Sequence, residues 1–163
     1  MQGPIVVGVD GSPPSHEALR WALAEARRCD TSLKVVSAWM LPWGLGLGVQ
    51  VPDSLPADLQ RVAEQLVASM VQNLGAETRD IRIEQVVAEG EPAHVLLQAA
   101  KDAQLLVVGS RGLGGFRELM LGSVSQQCAH HASCPVVIVR VVGPGSHQAS
   151  DTPPRAAWQE GPS

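Results

Sequence analysis

Short β-branched runs alternate along this chain with stretches of helical periodicity, and that alternation constrains the fold more than any other feature. The apolar runs are "PIVVGVD" (4–10), "SLKVVSAW" (32–39), "IRIEQVVAEG" (81–90), "QLLVVGSRG" (104–112) and "PVVIVRVV" (135–142). Between the first two, Leu19, Ala22, Leu23 and Ala26 recur at i, i+3, i+4, i+7, the spacing of one apolar helix face. Ser12 or Ser15 is placed to cap that helix, and the prolines suit a first turn whose N–H groups lack intrahelical partners. Leu59, Val62, Ala63, Leu66, Met70 and Leu74 mark a second helix that closes near Gly75. Pro92 opens a third, with Val95, Leu96 and Ala99 inward, and "SVSQQCAHHAS" is a fourth. Strands alternating with helices imply parallel βαβ units, so the expected fold is an α/β, three-layer α/β/α sandwich.

The material for such a core is present. Hydrophobic residues make up 45% of the 163, yet there is one Phe and no Tyr, so the sheet must be packed with Val, Leu, Ile and Ala. The net charge of -4 and the separation of the two lysines, Lys34 and Lys101, argue against a nucleic-acid partner. No apolar run reaches membrane-spanning length, which predicts no membrane association. The first residues lack a signal-peptide pattern, and three cysteines without framework spacing suggest a reducing compartment, so a cytoplasmic location is expected. "MLPWGLGLGVQVPDSLP" (40–56) has no periodicity and is expected to be a loop. Residues 1–142 are expected to form one domain, and the Gly-, Pro- and Ser-rich residues 143–163 a disordered tail.

The fourth apolar run leads into "GSRGLGGFRELMLGS" (109–123), which holds five glycines. A strand-to-helix turn puts free backbone N–H groups and the positive end of a helix at the carboxyl edge of the sheet, where anions bind. Gly109 and Gly112 are expected to admit a ligand against bare backbone, Gly122 to do so at the helix start, Ser123 and Ser125 to add hydroxyl donors, and Arg111 and Arg117 to supply positive charge. The segment does not fit the P-loop, since no lysine follows a glycine, nor the dinucleotide fingerprint, which follows a first strand.

Its spacing fits another pattern. Gly109, two residues, Gly112, nine residues, then Gly122-Ser123 resembles the G-2x-G-9x-G-(S/T) signature of the ATP-binding universal stress proteins. "VVGVDGSPPSHEALRWALAEA", "EGEPAHVLLQAAKDAQLLVVGSRG" and "GSVSQQCAHHASCPVVIVR" are similar to other parts of that family, and one departure is Gln104, where many members carry Asp. The resemblance implies a five-stranded parallel sheet of order 3-2-1-4-5, Rossmann-like and akin to the adenine nucleotide alpha hydrolases. It also implies an ATP (or ADP or AMP) ligand, with Mg²⁺ held by the phosphates, and a regulatory role in a stress response. By that analogy Asp10 holds the nucleoside end with Gly11 and Ser12 close by, and the backbone near Ala38 reads the adenine edge. Gly109, Arg111 and Gly112 lie under ribose and phosphates, and Gly122, Ser123, Val124 and Ser125 cradle the phosphates. Slow ATP hydrolysis and a cyclic-AMP-binding or vestigial pocket are the alternatives, the first weakened by the lack of a clamp lysine and an evident base.

Two other groupings carry less. Cys128, His130, His131 and Cys134 suggest a metal cluster, but residues 128 and 131 share a helix side while 130 points elsewhere. Ser123 with a nearby histidine lacks an orienting acid and a G-x-S-x-G elbow, which excludes triad chemistry. The run 135–142 is apolar apart from Arg140, and as an edge strand it is expected to form a homodimer, as the resemblance also implies.

Overall fold

The computed structural model describes residues 3–41, 52–113 and 121–141. The elements follow the expected order: β1 (Ile5–Gly8), α1 (Pro13–Arg28), β2 (Leu33–Trp39), α2 (Leu55–Gln72), a 3-10 turn (Gly75–Thr78), β3 (Ile83–Glu89), α3 (Pro92–Ala99), β4 (Leu105–Gly109), α4 (Ser123–His131) and β5 (Val136–Val139). All pairings are parallel, and the sheet runs β3-β2-β1-β4-β5. No helix among the described residues is long and apolar enough to cross a membrane.

The period-2 alternation of the strands divides the core in two. Ile5, Val7, Val9, Leu33, Val35 and Val107 face α1 and α2, where they meet Leu19, Leu23, Val67 and Met70. Val6, Val36, Leu106 and Val108 point the other way, onto Val95, Leu96 and Cys128 of α3 and α4. The central strands are thus covered on both faces, which is why they read as continuous apolar runs. Each fully buried Val or Leu contributes about 1.5–3 kcal/mol.

Helix ends follow local chemistry. Ser12 caps α1, its Oγ accepting from the Ser15 amide at 3.4 Å, with Pro13 and Pro14 in the first turn. Glu91 caps α3 by accepting from the Ala93 and His94 amides. Replacing Ser12 by Ala should cost about 1 kcal/mol in urea unfolding, the usual loss of an N-cap.

Two expectations need correction. The loop after β2 ends earlier than its composition suggests, because Pro56 occupies a first-turn position of α2 and the helix starts at Leu55. Val62 is 63% exposed, whereas Val67 is fully buried. Helix α2 buries the stripe Ala63, Val67 and Met70 against the sheet, with Leu66 and Val71 partly buried beside it. Ala99 packs against the core as expected, partly buried, and Ala93 and Ala100 are fully buried beside it.

Cys128 is fully buried beside α3, and burial, followed by the nearby Glu91 charge, pushes its thiol up to about 11. The folded state therefore holds that proton more tightly than the unfolded chain. Its contribution is intact below the ordinary thiol value of 9.0 and is lost as pH rises toward about 11. At pH 8, iodoacetamide should label the half-exposed Cys29 readily and Cys128 only after unfolding, which mass spectrometry of the peptides will show.

Candidate functional site

The switch point lies between β1 and β4. After β1 the chain turns to α1 on one face of the sheet, and after β4 it turns to α4 on the other, so a crevice opens outside the carboxyl ends of both strands. It is a cavity of about 580 Å³. Asp10, Ala38, Gly109, Arg111, Gly112, Gly122, Ser123, Val124 and Ser125 all line it, although they come from four separate stretches of sequence. Gly11 and Ser12 do not line it; Ser12 is buried beneath Asp10 as the α1 cap. The apolar floor, including Val36, Leu96 and Val108, was not singled out from the sequence as part of a site. Those residues read there only as core, since the end of a buried strand carries no mark of what lies beyond it.

At one end of the cavity stands the N-terminus of α4. Its cap is Gly122, which offers no side-chain acceptor, and the amides of Ser123, Val124 and Ser125 have no partner among the described residues. Helices α1 and α3 satisfy such groups with Ser12 and Glu91, whereas α4 leaves them facing the cavity. Two expected donors are already used within the chain. The Gly122 amide donates to the Ser110 carbonyl at 2.8 Å, and the Ser125 hydroxyl, 2% exposed, donates to the Gly122 carbonyl at 2.9 Å. Ser125 therefore presents its backbone rather than its hydroxyl. Arg111 lines the cavity and forms no ion pair among the described residues. Arg117 lies outside the described residues, as does the Gly44–Gly48 loop.

The other end is the tip of β2. Gly8 pairs with Val36, and the Val9 amide donates to the Val36 carbonyl at 2.9 Å. The same parity turns the N–H and C=O of Ala38 toward β1, where the Val9 carbonyl and Gly11 amide would be their partners. Neither bond is made, because β1 has already ended at Gly8. Ala38 thus offers one donor and one acceptor, side by side, to the cavity.

Between the two ends, Gly109 and Gly112 line the cavity and also make room for other parts of the chain. A Cβ on Gly109 would lie 2.8 Å from the Pro14 carbonyl carbon, so this glycine lets α1 sit against β4. A Cβ on Gly112 would lie 2.5 Å from Asp10 Oδ2, so that one makes room for the carboxylate. Asp10 Oδ1 accepts from the Ser12 amide at 3.0 Å and its hydroxyl at 2.6 Å, while Oδ2 accepts from the Leu113 amide at 3.0 Å.

His130 and His131 are exposed while Cys128 is buried, and among the described residues no group of three or more His, Cys, Asp or Glu is placed to hold a metal ion.

Comparison with known proteins agrees with the architecture. The model of the universal stress protein family matches residues 1–140. A universal stress protein of Mycobacterium tuberculosis is 36% identical over 143 residues, covering 85% of this chain and 46% of that protein. The chain spans about half the length of the curated mycobacterial relatives it matches. Among solved structures, a universal stress protein in complex with cAMP has a TM-score of 0.64 at 25% identity, covering 84% of this chain and 96% of the other. One from Archaeoglobus fulgidus in complex with dAMP has a TM-score of 0.54 at 26% identity, covering 84% of this chain and 97% of the other. A family match along nearly the whole described fold, on a sheet of this order, means that the chain belongs to the universal stress protein family.

Proposed function

We propose that the chain binds an adenine nucleotide in this cavity, with ATP as the ligand, and acts as a sensor or regulator in a stress response. The observation that carries this reading is the pairing of two unsatisfied backbone sites across one cavity: the Ser123–Ser125 amides of α4 and the N–H and C=O of Ala38. The first suits a phosphate, because the amides and the helix dipole both favour an anion. The second suits adenine, whose ring nitrogen accepts where its neighbouring amino group donates.

In this reading Gly122, Ser123, Val124 and Ser125 cradle the phosphates, and Arg111 adds charge. Asp10, Gly109 and Gly112 form the wall between the two ends, with Gly11 and Ser12 in the turn behind Asp10. The phosphates themselves hold Mg²⁺. The Gly109, Gly112, Gly122-Ser123 spacing supports ATP, and the family members solved with cAMP and dAMP support an adenine nucleotide more generally. Residues 1–142 act as the binding domain in the cytoplasm, 143–163 as a tail, and the edge run 135–142 pairs two copies. Of that run, β5 covers Val136–Val139, and Val142 lies outside the described residues.

Cyclic AMP is the second ligand to test. It is favoured by the three amides, which are enough donors for a single phosphate. Mass spectrometry of nucleotide released from the purified protein, followed by calorimetry with ATP, AMP and cyclic AMP, tests the assignment. Binding of ATP below about 100 μM supports it, and no measurable heat with any of the three refutes it. An assay of ADP release with Mg²⁺ separates a sensor from a slow ATPase.

A further inference from the structure

The half-buried carboxylate of Asp10 is nearly saturated by the chain itself. Of about four lone-pair directions on a carboxylate, three are taken, by the Ser12 amide, the Ser12 hydroxyl and the Leu113 amide. The bond to Leu113 crosses 103 positions of sequence and joins the end of β1 to the loop after β4. Close by, the Ser12 hydroxyl lies 3.3 Å from the Arg111 carbonyl, so both sides of this junction converge on residues 111–113. Gly112 is the residue that permits the approach, since a Cβ there would stand 2.5 Å from Oδ2. Its neighbours in the cavity wall are Arg111, the described cation of the site, and Gly122, whose amide is held by Ser110.

We propose that Asp10 is a positioning residue, which sets the Arg111–Leu113 backbone for phosphate binding through its bond to the Leu113 amide instead of by touching the nucleoside. The proposal rests on the nucleotide reading for its binding consequence, while the bond itself is independent of any ligand. Asp10 and Gly112 then form one functional unit. Removing the carboxylate and blocking its approach are two ways of breaking the same contact.

The test is a double-variant cycle with Asp10→Ala, Gly112→Ala and the two combined. Hydrogen exchange of the Leu113 amide is followed by NMR, and affinities for AMP and adenosine are followed by calorimetry. Protection of the Leu113 amide is expected to fall in each single variant and no further in the double. AMP affinity is expected to fall about tenfold in each single variant and by the same factor in the double, with adenosine affinity changed less than about twofold. Three results would overturn the proposal: unchanged Leu113 exchange in Asp10→Ala, AMP losses that multiply in the double variant, or adenosine affinity falling as far as AMP affinity. If the wild-type protein binds no nucleotide, the functional reading fails. The exchange measurement still decides whether Asp10 holds the loop.

Discussion

Replacing Gly122 by Asp is expected to leave the protein at least as stable as wild type and to abolish phosphate-dependent nucleotide binding. Gly122 has φ -73° and ψ 162°, a backbone conformation that any L-residue adopts at an N-cap. An added Cβ meets nothing nearer than the Arg111 Cα at 3.4 Å, an ordinary contact. An aspartate there would accept from the second or third amide of α4 and complement the helix dipole, a gain of about 0.3–1 kcal/mol. The same carboxylate would occupy the amides that suit a phosphate and repel the anion. Losing even two charge-assisted hydrogen bonds weakens binding by about a hundredfold or more. Thermal unfolding should show an unchanged or slightly raised midpoint, and calorimetry should show no ATP binding. A variant that binds ATP as well as wild type would remove the phosphates from this helix.

Gly109→Ala is expected to do the reverse and damage the fold. Its Cβ would lie 2.8, 2.9 and 3.0 Å from Pro14 atoms, two of them backbone and all in the capped first turn of α1. Backbone held by a Ser12 cap and two prolines cannot move aside as a flexible side chain would. Overpacking of this kind costs about 1–3 kcal/mol, and the rigid partner points to the upper half of that range. The melting midpoint should fall by about 5–10 °C. Gly8→Ala gives the control: its Cβ meets the methyl ends of Leu96, 2.8 and 2.9 Å away, which can rotate. A Gly109→Ala protein as stable as the Gly8→Ala protein would show that α1 is free to shift.

Both variants concern glycines of one motif, yet they have opposite consequences, and the sequence did not separate them. Spacing made Gly109, Gly112 and Gly122 look alike. In space the first makes room for Pro14, the second for Asp10, and the third leaves a helix end open. The sequence likewise offers the Ser125 hydroxyl as a phosphate donor, whereas the fold turns it onto the Gly122 carbonyl. Residues facing one another across a turn carry no periodic signal of who approaches whom.

What the sequence by itself determined is what depends on neighbours within one or two turns. Alternating apolar runs and helical stripes set the order of the elements, a capping serine (Ser12 or Ser15) and the prolines set the start of α1, and the position of the glycine stretch after β4 marked the cavity. What only the tertiary structure decided depends on groups far apart in the chain. The donor and acceptor of Ala38 are open because β1 stops at Gly8 while β2 continues to Trp39, a matter of register between strands. The carboxylate of Asp10 is engaged because a backbone amide 103 positions away comes within 3.0 Å. Periodicity is local and survives in a string of letters, while register and close approach exist only once the strands have paired.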